Sequence, residues 1–373
     1  MVRLRAIGAH WATYPIVLFV FSRAAVLAAS SISMRLVPHM GFVGDLPRMQ
    51  VVFQHPSLDG LFRWDTGWYE TIARAGYYRG EQANFWPLYP MLSRALSEIT
   101  PLHLHYCMLL VANLASLGSF IVMYRLFEKL SDQQSARWGV ALYAAYPFAF
   151  FQAAAYPESM TVFFTALSVL LAVSSSHLGA GAALALGVLT RHTAIWTGLA
   201  LAWVQLRERG WRTLISPKLI GLFLPLLSVA GFAWFLKGRY GDPLMFLTVR
   251  EIFWADGFQS VWTVLVQEFA APAPSPEFVP PIFLSSIVAA GCLALWFKAE
   301  WRPLAPVAML WLGVVYLFGA TGVGRHSSLC WPAFLPLGVL LARVPLLQAP
   351  SVIFLACLQS IFIFAFSHHF HVF

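Results

Sequence analysis

The hydrophobic positions of this chain form long uninterrupted runs rather than short alternating stretches. The runs recur from "YPIVLFVFSRAAVLAASSISM" near the start to "SVIFLACLQSIFIFAF" near the end. A helix of about 20 apolar residues is long enough to cross a bilayer, whereas a transmembrane barrel would show segments of about ten residues with alternating polarity. The pattern therefore predicts an all-α polytopic membrane protein with about eleven transmembrane helices. The predicted spans are residues 14–34, 104–124, 138–154, 159–175, 178–191, 193–206, 218–236, 281–297, 304–320, 327–342 and 351–367.

The composition excludes a soluble globular protein. Of the 373 residues, 59% are hydrophobic and 11% are charged, against roughly 45–50% and 25% in soluble domains. The net charge of +8 comes from basic clusters at the ends of spans, which indicates orientation in the membrane rather than a nucleic-acid partner. The four cysteines lie in or beside apolar segments without paired spacing, so we expect neither a disulfide framework nor a zinc site. The first apolar run lacks a cleavage site and is predicted to be a retained helix.

The positive-inside rule gives the orientation of the predicted spans. With an odd number of spans, the basic clusters at residues 3–5, 125–137, 207–218, 298–302 and 343 all fall on one side, which is then cytoplasmic. All but four of the 16 carboxylates then face outward. Since acidic residues have little influence on topology, this asymmetry favours a polar site on the external face.

Two predicted external loops are too long to be simple connections. Residues 35–103 include "DTGWYETIARAGYY", which predicts one of two short amphipathic helices lying at the membrane interface. Residues 237–280 include the proline-rich stretch "APAPSP", which cannot form a regular helix. No repeat or linker divides the chain, so residues 1–373 are predicted to form a single transmembrane domain.

Two short external motifs supply carboxylates. In "RWDTGWY", Asp65 is surrounded by aromatic residues, and partial desolvation there would favour a basic carboxylate. The alternative interpretation is that Asp65 caps the following helix. In "AYPES", Tyr156 and Glu158 meet the external face at a proline-containing corner, and the alternative is that Glu158 only stabilises a helix start.

Two Arg-His pairs supply positive charge at the same face. Arg191 and His192 separate two short apolar segments in "LTRHTAIW", and Arg325 and His326 begin another span in "GVGRHSSLCW". Ionisable residues within membrane segments are commonly functional, although an arginine there can also simply extend to the interface. Arginine binds phosphate in bidentate geometry, and a carboxylate can accept the proton of an attacking hydroxyl. The residues thus fit a reaction between a phosphate leaving group and a hydroxyl nucleophile.

No motif indicates a metal ion. The sequence has no Asp-X-Asp motif, and its two external glycines in "GVGRH" are too few for a nucleotide-binding loop. The histidines of "SHHFHVF" at the end of the chain are expected to belong to a flexible external tail rather than to a metal site.

The quoted motifs and their order resemble the PIG-V family of mannosyltransferases. The resemblance covers "FRWDTGWYETIARAGYY", "NFWPLYP", "YPES", "TRHTAIW" and, more loosely, "GDPLMF". It implies the GT-C fold of membrane glycosyltransferases, which transfer a sugar from a polyprenyl-phosphate carrier with inversion. The chain departs from the family at "RHT" and at "GRHSSLCWPAF", in the region where the donor would be held.

The resemblance also implies roles for individual residues. Asp65 takes the place of the family's catalytic aspartate, and we expect it to act as the base that accepts the proton of the acceptor hydroxyl. The residues expected to bind the donor phosphate are Arg191, His192, Arg325 and His326, and those expected to contact sugar or acceptor are Trp64, Trp68, Tyr69, Tyr156 and Glu158. No metal and no cofactor is expected. The reaction requires Asp65, Arg191 and Arg325 to converge in one external pocket.

The expected partners are a polyprenyl-phosphate-sugar donor, a glycolipid, glycan or protein acceptor, and the lipid bilayer. Mannose is the family's sugar, and nothing in the residues selects it over another. The expected location is the plasma or inner membrane in a prokaryote, or the endoplasmic reticulum in a eukaryote, with the site on the external or lumenal face. A lipid-linked substrate transporter or flippase and a non-catalytic subunit of a glycosylation complex are the alternatives, since transporters also carry arginines inside the membrane.

Overall fold

The fold is taken from a computed structural model of the full chain. It describes residues 12–36, 53–210, 220–254, 260, 262–263, 281–317 and 322–370. Within these ranges the secondary structure consists of α-helices and short 3₁₀ segments without strands, which confirms the predicted all-α class. The proline-rich part of the second external loop lies outside the described residues.

Sixteen α-helices, numbered here in chain order, make up the described part of the chain. They are α1 (Thr13–Leu36), α2 (Pro56–Asp59), α3 (Thr66–Ala75), α4 (Leu88–Ile99), α5 (Leu104–Leu130), α6 (Gln133–Ala145), α7 (Glu158–Ala172), α8 (His177–Thr190), α9 (Thr197–Arg209), α10 (Ile220–Tyr240), α11 (Met245–Trp254), α12 (Pro281–Ala294), α13 (Ala305–Leu317), α14 (Val323–Ser327), α15 (Phe334–Arg343) and α16 (Pro345–Ser367).

Four of these helices, α1, α5, α10 and α16, are long and apolar enough to cross a membrane. This fits an integral membrane protein. Each of the other predicted spans also coincides with a helical segment, but these helices have only 10–17 residues. Because about 20 residues are needed to cross ordinary hydrocarbon without tilt or thinning, the total of about eleven crossings stays a prediction.

Three predicted spans are interrupted rather than continuous. The span at 138–154 ends as an α-helix before Pro147 and continues as the 3₁₀ segment Pro147–Gln152. The span at 193–206 begins with the 3₁₀ segment His192–Trp196. The span at 327–342 contains Pro332 in a 3₁₀ turn before α15. Proline cannot donate the backbone hydrogen bond that a helix interior requires, which accounts for the interruptions at Pro147 and Pro332, whereas the His192–Trp196 segment contains no proline.

Close helix packing depends on paired glycines. A Cβ atom placed on Gly181 of α8 would lie 1.9 Å from the carbonyl oxygen of Gly221 in α10. A Cβ atom on Gly338 of α15 would lie 2.5 Å from the backbone nitrogen of Gly139 in α6. Small residues let transmembrane helices approach until their backbones touch, so these two contacts let α8 pack directly on α10 and α15 pack directly on α6.

Residues 53–103, the described part of the predicted first external loop, form a layer of short helices and turns over the helix ends. Helix α3 falls on the segment "DTGWYETIARAGYY" that was predicted to be a short helix, and α4 is a second short helix in the same loop. Their position at a bilayer surface stays a prediction. The end of α10 holds this layer, because the Arg239 Nε atom donates to the Tyr77 carbonyl oxygen at 2.5 Å and the Tyr240 hydroxyl donates to the Arg79 carbonyl at 2.7 Å.

The end of the chain corrects one expectation. His368 was expected in a flexible tail, but it is buried with 4% of its surface exposed, and its Nε2 atom lies 3.2 Å from the Ser33 carbonyl oxygen of α1. The neighbouring His369 ring lies 6.0 Å from the Trp64 ring. The end of α16 therefore packs beside the segment that carries Asp65.

Candidate active site

A buried ion pair anchors the segment in front of Asp65. The guanidinium of Arg63 lies 2.7 Å from the carboxylate of Asp59, and both side chains are almost fully buried. The Arg63 Nε atom also donates to the Ser367 carbonyl oxygen at 3.0 Å. A buried charge must be paired and hydrogen-bonded to be tolerated, so Arg63 holds the first external loop against the end of α16.

Trp64, between this anchor and Asp65, adopts a left-handed backbone conformation with φ of 56°. Bulky residues rarely adopt this conformation, and it persists only where the surroundings impose it. Here the Tyr156 hydroxyl holds this conformation through hydrogen bonds to the backbone on both sides of Trp64. It donates to the Arg63 carbonyl oxygen at 2.9 Å and accepts a hydrogen bond from the Asp65 backbone N–H at 3.2 Å.

The four predicted charged groups meet in one network. The Arg325 Nη1 atom lies 2.5 Å from the Asp65 Oδ2 atom, and the Arg325 Nε atom donates to Glu158 Oε1. The Arg191 Nη1 atom lies 2.5 Å from the same oxygen of Glu158. Two carboxylates and two guanidinium groups thus alternate in a chain with no net charge. The structure brings together Asp65, Glu158, Arg191 and Arg325, which are distributed over 260 residues of sequence.

The alternative interpretations do not account for the observed contacts of Asp65, Glu158 and Arg191. Asp65 occupies the position before α3, but its side chain makes no capping hydrogen bond. Its carboxylate faces Arg325 instead. Glu158 does begin α7, yet it is fully buried, and its Oε2 atom has no hydrogen-bond partner among the described residues. Arg191 ends α8 and turns toward Glu158 rather than toward the membrane surface.

The carboxylates of Asp65 and Glu158 differ in their exposure to solvent. The Asp65 side chain is 31% exposed, whereas that of Glu158 is fully buried. The Asp65 carboxylate is therefore accessible from solvent, whereas that of Glu158 is not. Burial lowers the pKa of the Arg325 guanidinium, but the nearby carboxylates of Glu158 and Asp65 outweigh it, so that its pKa lies well above the ordinary value. Arg325 thus stays charged throughout the accessible pH range.

The two histidines beside this network are neutral. Burial, followed by the charge of Arg191 and then of Arg250, lowers the pKa of His192 to about 3. Burial and the same arginines, with Arg325, hold the pKa of His326 well below its ordinary value. The His326 Nε2 atom lies 3.1 Å from the Arg191 Nη2 atom. Because a guanidinium can only donate, Nε2 of His326 accepts, and the ring proton belongs on Nδ1.

The other residues predicted to contact sugar or acceptor differ in their contacts and in their exposure. The ring of Trp68 stacks on Phe85 at 5.7 Å and lies 5.8 Å from the guanidinium of Arg79. Trp64 is only partly buried. Tyr69 and Tyr156 are 3% and 0% exposed, so neither is open to the sugar or acceptor contact predicted for them. Tyr156 instead lies under the ion pair, with the Arg325 guanidinium 4.5 Å from its ring centroid.

Sequence reasoning missed the Arg63–Asp59 ion pair. Both residues stand within seven positions of Asp65, and the spacing of four residues between them is that of a helical ion pair. That spacing was a usable signal. The contact of Arg63 with Ser367, which is 304 residues away, left no such signal in the sequence. Among the described residues, no three His, Cys, Asp or Glu side chains lie close enough to hold a metal ion.

Solved structures share the architecture that carries this site. An oligosaccharyltransferase from Archaeoglobus fulgidus in its apo form aligns with 98% of this chain and 57% of its own length, at 12% identity and a TM-score of 0.50. The same enzyme with an inhibitory peptide and a dolichol-phosphate gives 93% and 55% coverage, 14% identity and a TM-score of 0.41. The chain thus shares its fold with the apo oligosaccharyltransferase, and it spans just over half the length of these structures.

Sequence comparison does not identify a family for the chain. No known family model matches the chain, and no curated protein matches it. The resemblance to the PIG-V family therefore depends on the motifs quoted above.

For the sugar-transfer reaction proposed below, we predict that Tyr156→Phe lowers kcat about tenfold while the KM for the donor stays within twofold. The variant keeps the ring under Arg325 but loses both hydrogen bonds around Trp64, each worth about 1 kcal/mol, so Asp65 loses its position. Sugar transfer measured at saturating donor tests this. Tyr89→Phe is a matched control, because it removes another buried hydroxyl, bonded to the Met108 carbonyl at 3.1 Å. Equal kcat values for the two variants would contradict the prediction.

Proposed function

We propose that this chain is an inverting glycosyltransferase that moves a sugar from a polyprenyl-phosphate carrier to an acceptor hydroxyl. The observation that carries the proposal is the joining of Asp65, Glu158, Arg191 and Arg325 in one network. The GT-C-type fold supports it, since the structure aligned over 98% of the chain is that of an oligosaccharyltransferase. Mannose, the sugar of the family that the motifs resemble, is the proposed donor sugar.

The proposed reaction is a single displacement at the anomeric carbon. The exposed carboxylate of Asp65 accepts the proton of the acceptor hydroxyl, as the base of an inverting glycosidase activates water. The acceptor oxygen forms a bond to the anomeric carbon while the bond from that carbon to the phosphate oxygen breaks. The polyprenyl phosphate leaves with the bonding electrons. Arg191 and Arg325 stabilise the negative charge that develops on it.

Glu158 keeps the two arginines in place for this step. Its buried carboxylate contacts both guanidinium groups through one oxygen, so it fixes their spacing and balances their charge before the donor arrives. His326 orients Arg191 by accepting its hydrogen bond. Preorganised charges of this kind need no rearrangement during the reaction, which is why they lower barriers effectively.

Transfer from a defined donor tests the proposal. The purified full chain in nanodiscs is incubated with radiolabelled polyprenyl-phosphate-mannose and a lipid extract of cells that lack the protein, which accumulate the acceptor. We expect a labelled product with inverted anomeric configuration, determined by linkage-specific glycosidase digestion. The same carrier with glucose or galactose shows whether the sugar is mannose. Membranes that translocate the labelled lipid without transferring its sugar would support the transporter alternative instead.

A further inference from the structure

A cavity of about 460 Å³ lies at the end of the helix bundle away from the candidate active site. It opens between the turn that joins α5 to α6, the loop at residues 298–300 and the last turn of α15. Helix α6 begins at this cavity and leads to the site, because the hydroxyl of Tyr146, which follows α6, lies 2.6 Å from the Ser327 hydroxyl. The 13 residues of α6 correspond to about 20 Å, so the cavity and the candidate site are separate.

Two hydrogen bonds hold the loop at residues 298–300 in place. The Trp301 Nε1 atom donates to the Leu130 carbonyl oxygen at 3.0 Å, and Trp301 is only 4% exposed. The Arg207 Nη1 atom donates to the Ala299 carbonyl oxygen at 2.7 Å. The backbone of the loop is therefore fixed against α5 and α9.

Four charged side chains border the cavity, namely Asp132, Lys298, Glu300 and Arg343. Asp132 caps α6, and the Lys298 ammonium lies 4.6 Å from the centroid of the Trp301 ring. In the part of the chain that the structure describes, Glu300 and Arg343 make no side-chain hydrogen bond or ion pair. The cavity thus offers two positive and two negative charges to a ligand and has no net charge.

Large apolar side chains flank the charged residues of the cavity. Phe297 directly precedes Lys298 and is 83% exposed, and Leu346, three residues after Arg343, is 87% exposed. Trp296 is 39% exposed, and tryptophan is enriched where a membrane protein meets the headgroup layer. The rim of the cavity therefore combines charged groups with an apolar margin, which is the combination that a phospholipid presents.

We propose that this cavity binds the headgroup of a phospholipid that carries both a phosphate and a primary ammonium group. Lys298 and Arg343 contact the phosphate, for which a guanidinium offers bidentate geometry, and Glu300 contacts the ammonium. The acyl chains lie along Phe297 and Leu346. The basic clusters at this end of the bundle place the lipid in the cytoplasmic leaflet. The inference goes beyond the sugar-transfer reaction and does not depend on it.

The balance of charge determines which headgroup fits the cavity. A phosphatidylethanolamine headgroup has one negative and one positive charge, so it can pair with side chains of both signs. A phosphatidylglycerol headgroup has only the negative charge and would leave the carboxylates unpaired. Phosphatidylcholine has both charges, but its quaternary nitrogen has no N–H group to donate.

Titration of the full chain in detergent with dihexanoyl phospholipids, followed by native mass spectrometry, tests this proposal. We expect wild type to bind phosphatidylethanolamine about three- to tenfold more tightly than phosphatidylglycerol or phosphatidylcholine, since single exposed charge pairs are weak. Arg343→Gln should weaken the binding of phosphatidylethanolamine by about the same factor. Glu300→Gln should weaken it too but strengthen the binding of phosphatidylglycerol, which reverses the preference of the wild type.

Lys129→Gln is the matched control for these variants. Lys129 is an exposed cation in the last turn of α5, at the same end of the bundle, and it does not border the cavity. Its substitution should leave the affinity for all three lipids unchanged.

The remaining outcomes would each overturn the proposal. Equal affinities of wild type, Arg343→Gln and Glu300→Gln for phosphatidylethanolamine would remove the site, and a wild-type preference for phosphatidylglycerol would remove recognition of the ammonium. Glycerophosphoethanolamine, which has the headgroup without acyl chains, should bind at least about tenfold more weakly than the lipid. Equal binding of the two would identify a soluble ligand instead of a lipid. Because sugar transfer is not measured, failure here leaves the glycosyltransferase proposal intact.

Discussion

Asp65→Asn should reduce sugar transfer by about 10²–10⁴-fold, the range that a positioned general base contributes. The substitution keeps the shape of the side chain and a hydrogen-bond acceptor for Arg325, but an amide cannot take the proton of the acceptor hydroxyl. The loss should therefore appear in kcat, with the KM for the donor changed by less than about threefold, because the donor phosphate is held by arginines. Initial rates at varied donor concentration measure both quantities.

The control for this experiment lies on the helix that directly follows Asp65. Glu70 of α3 is paired with Arg74 at 2.7 Å and with His105 at 2.6 Å, away from the Arg325 network. Glu70→Gln removes a carboxylate that is close to Asp65 in the sequence. Its kcat should stay within about twofold of the wild-type value. The folding of the variant is checked by its elution volume and melting temperature, which should match those of wild type. If Asp65→Asn protein of this quality still transfers sugar at the wild-type rate, Asp65 is not the base.

The helical class was predictable from the sequence, and the sequence also singled out four charged residues that the structure brings into contact, while their catalytic roles stay predictions. Long apolar runs predicted the helices, and the distribution of basic residues predicted that Asp65, Glu158, Arg191 and Arg325 share one face. The pairing among them was not predictable in detail, because Asp65 and Arg325 are separated by 260 residues. Only the packed helices decide that Arg325 contacts Glu158 as well as Asp65.

The role of Tyr156 shows a different limit. The family resemblance assigned Tyr156 to a sugar or acceptor contact, but its side chain is fully buried. Its observed contacts depend on the left-handed backbone at Trp64, with φ of 56°, and no residue pattern predicts that conformation in a tryptophan.

Glu158→Gln should destabilise the protein as well as inactivate it. Glu158 is fully buried and contacts both Arg191 and Arg325, so the amide leaves two guanidinium groups with the single carboxylate of Asp65. Removing one partner of a buried ion pair costs about 3–5 kcal/mol. We therefore expect a clear drop in melting temperature and a fall in transfer of at least about 100-fold, because the arginines lose their spacing.

A double-mutant cycle with Arg191→Gln assigns this effect to the pair. If the cost of Glu158→Gln comes from unbalanced positive charge, then Arg191→Gln combined with it should recover part of the lost stability, with a coupling of about 1–3 kcal/mol. Transfer should stay low in the double variant, because Arg191 is needed for the donor phosphate. Glu98→Gln is the matched control, since the side chain of Glu98 is 59% exposed in its ion pair with Arg94, and it should change stability by less than about 1 kcal/mol. Additive effects of the two substitutions would contradict the balanced network, and Asp65, Arg191 and Arg325 would then have to be held in place by the surrounding helices alone.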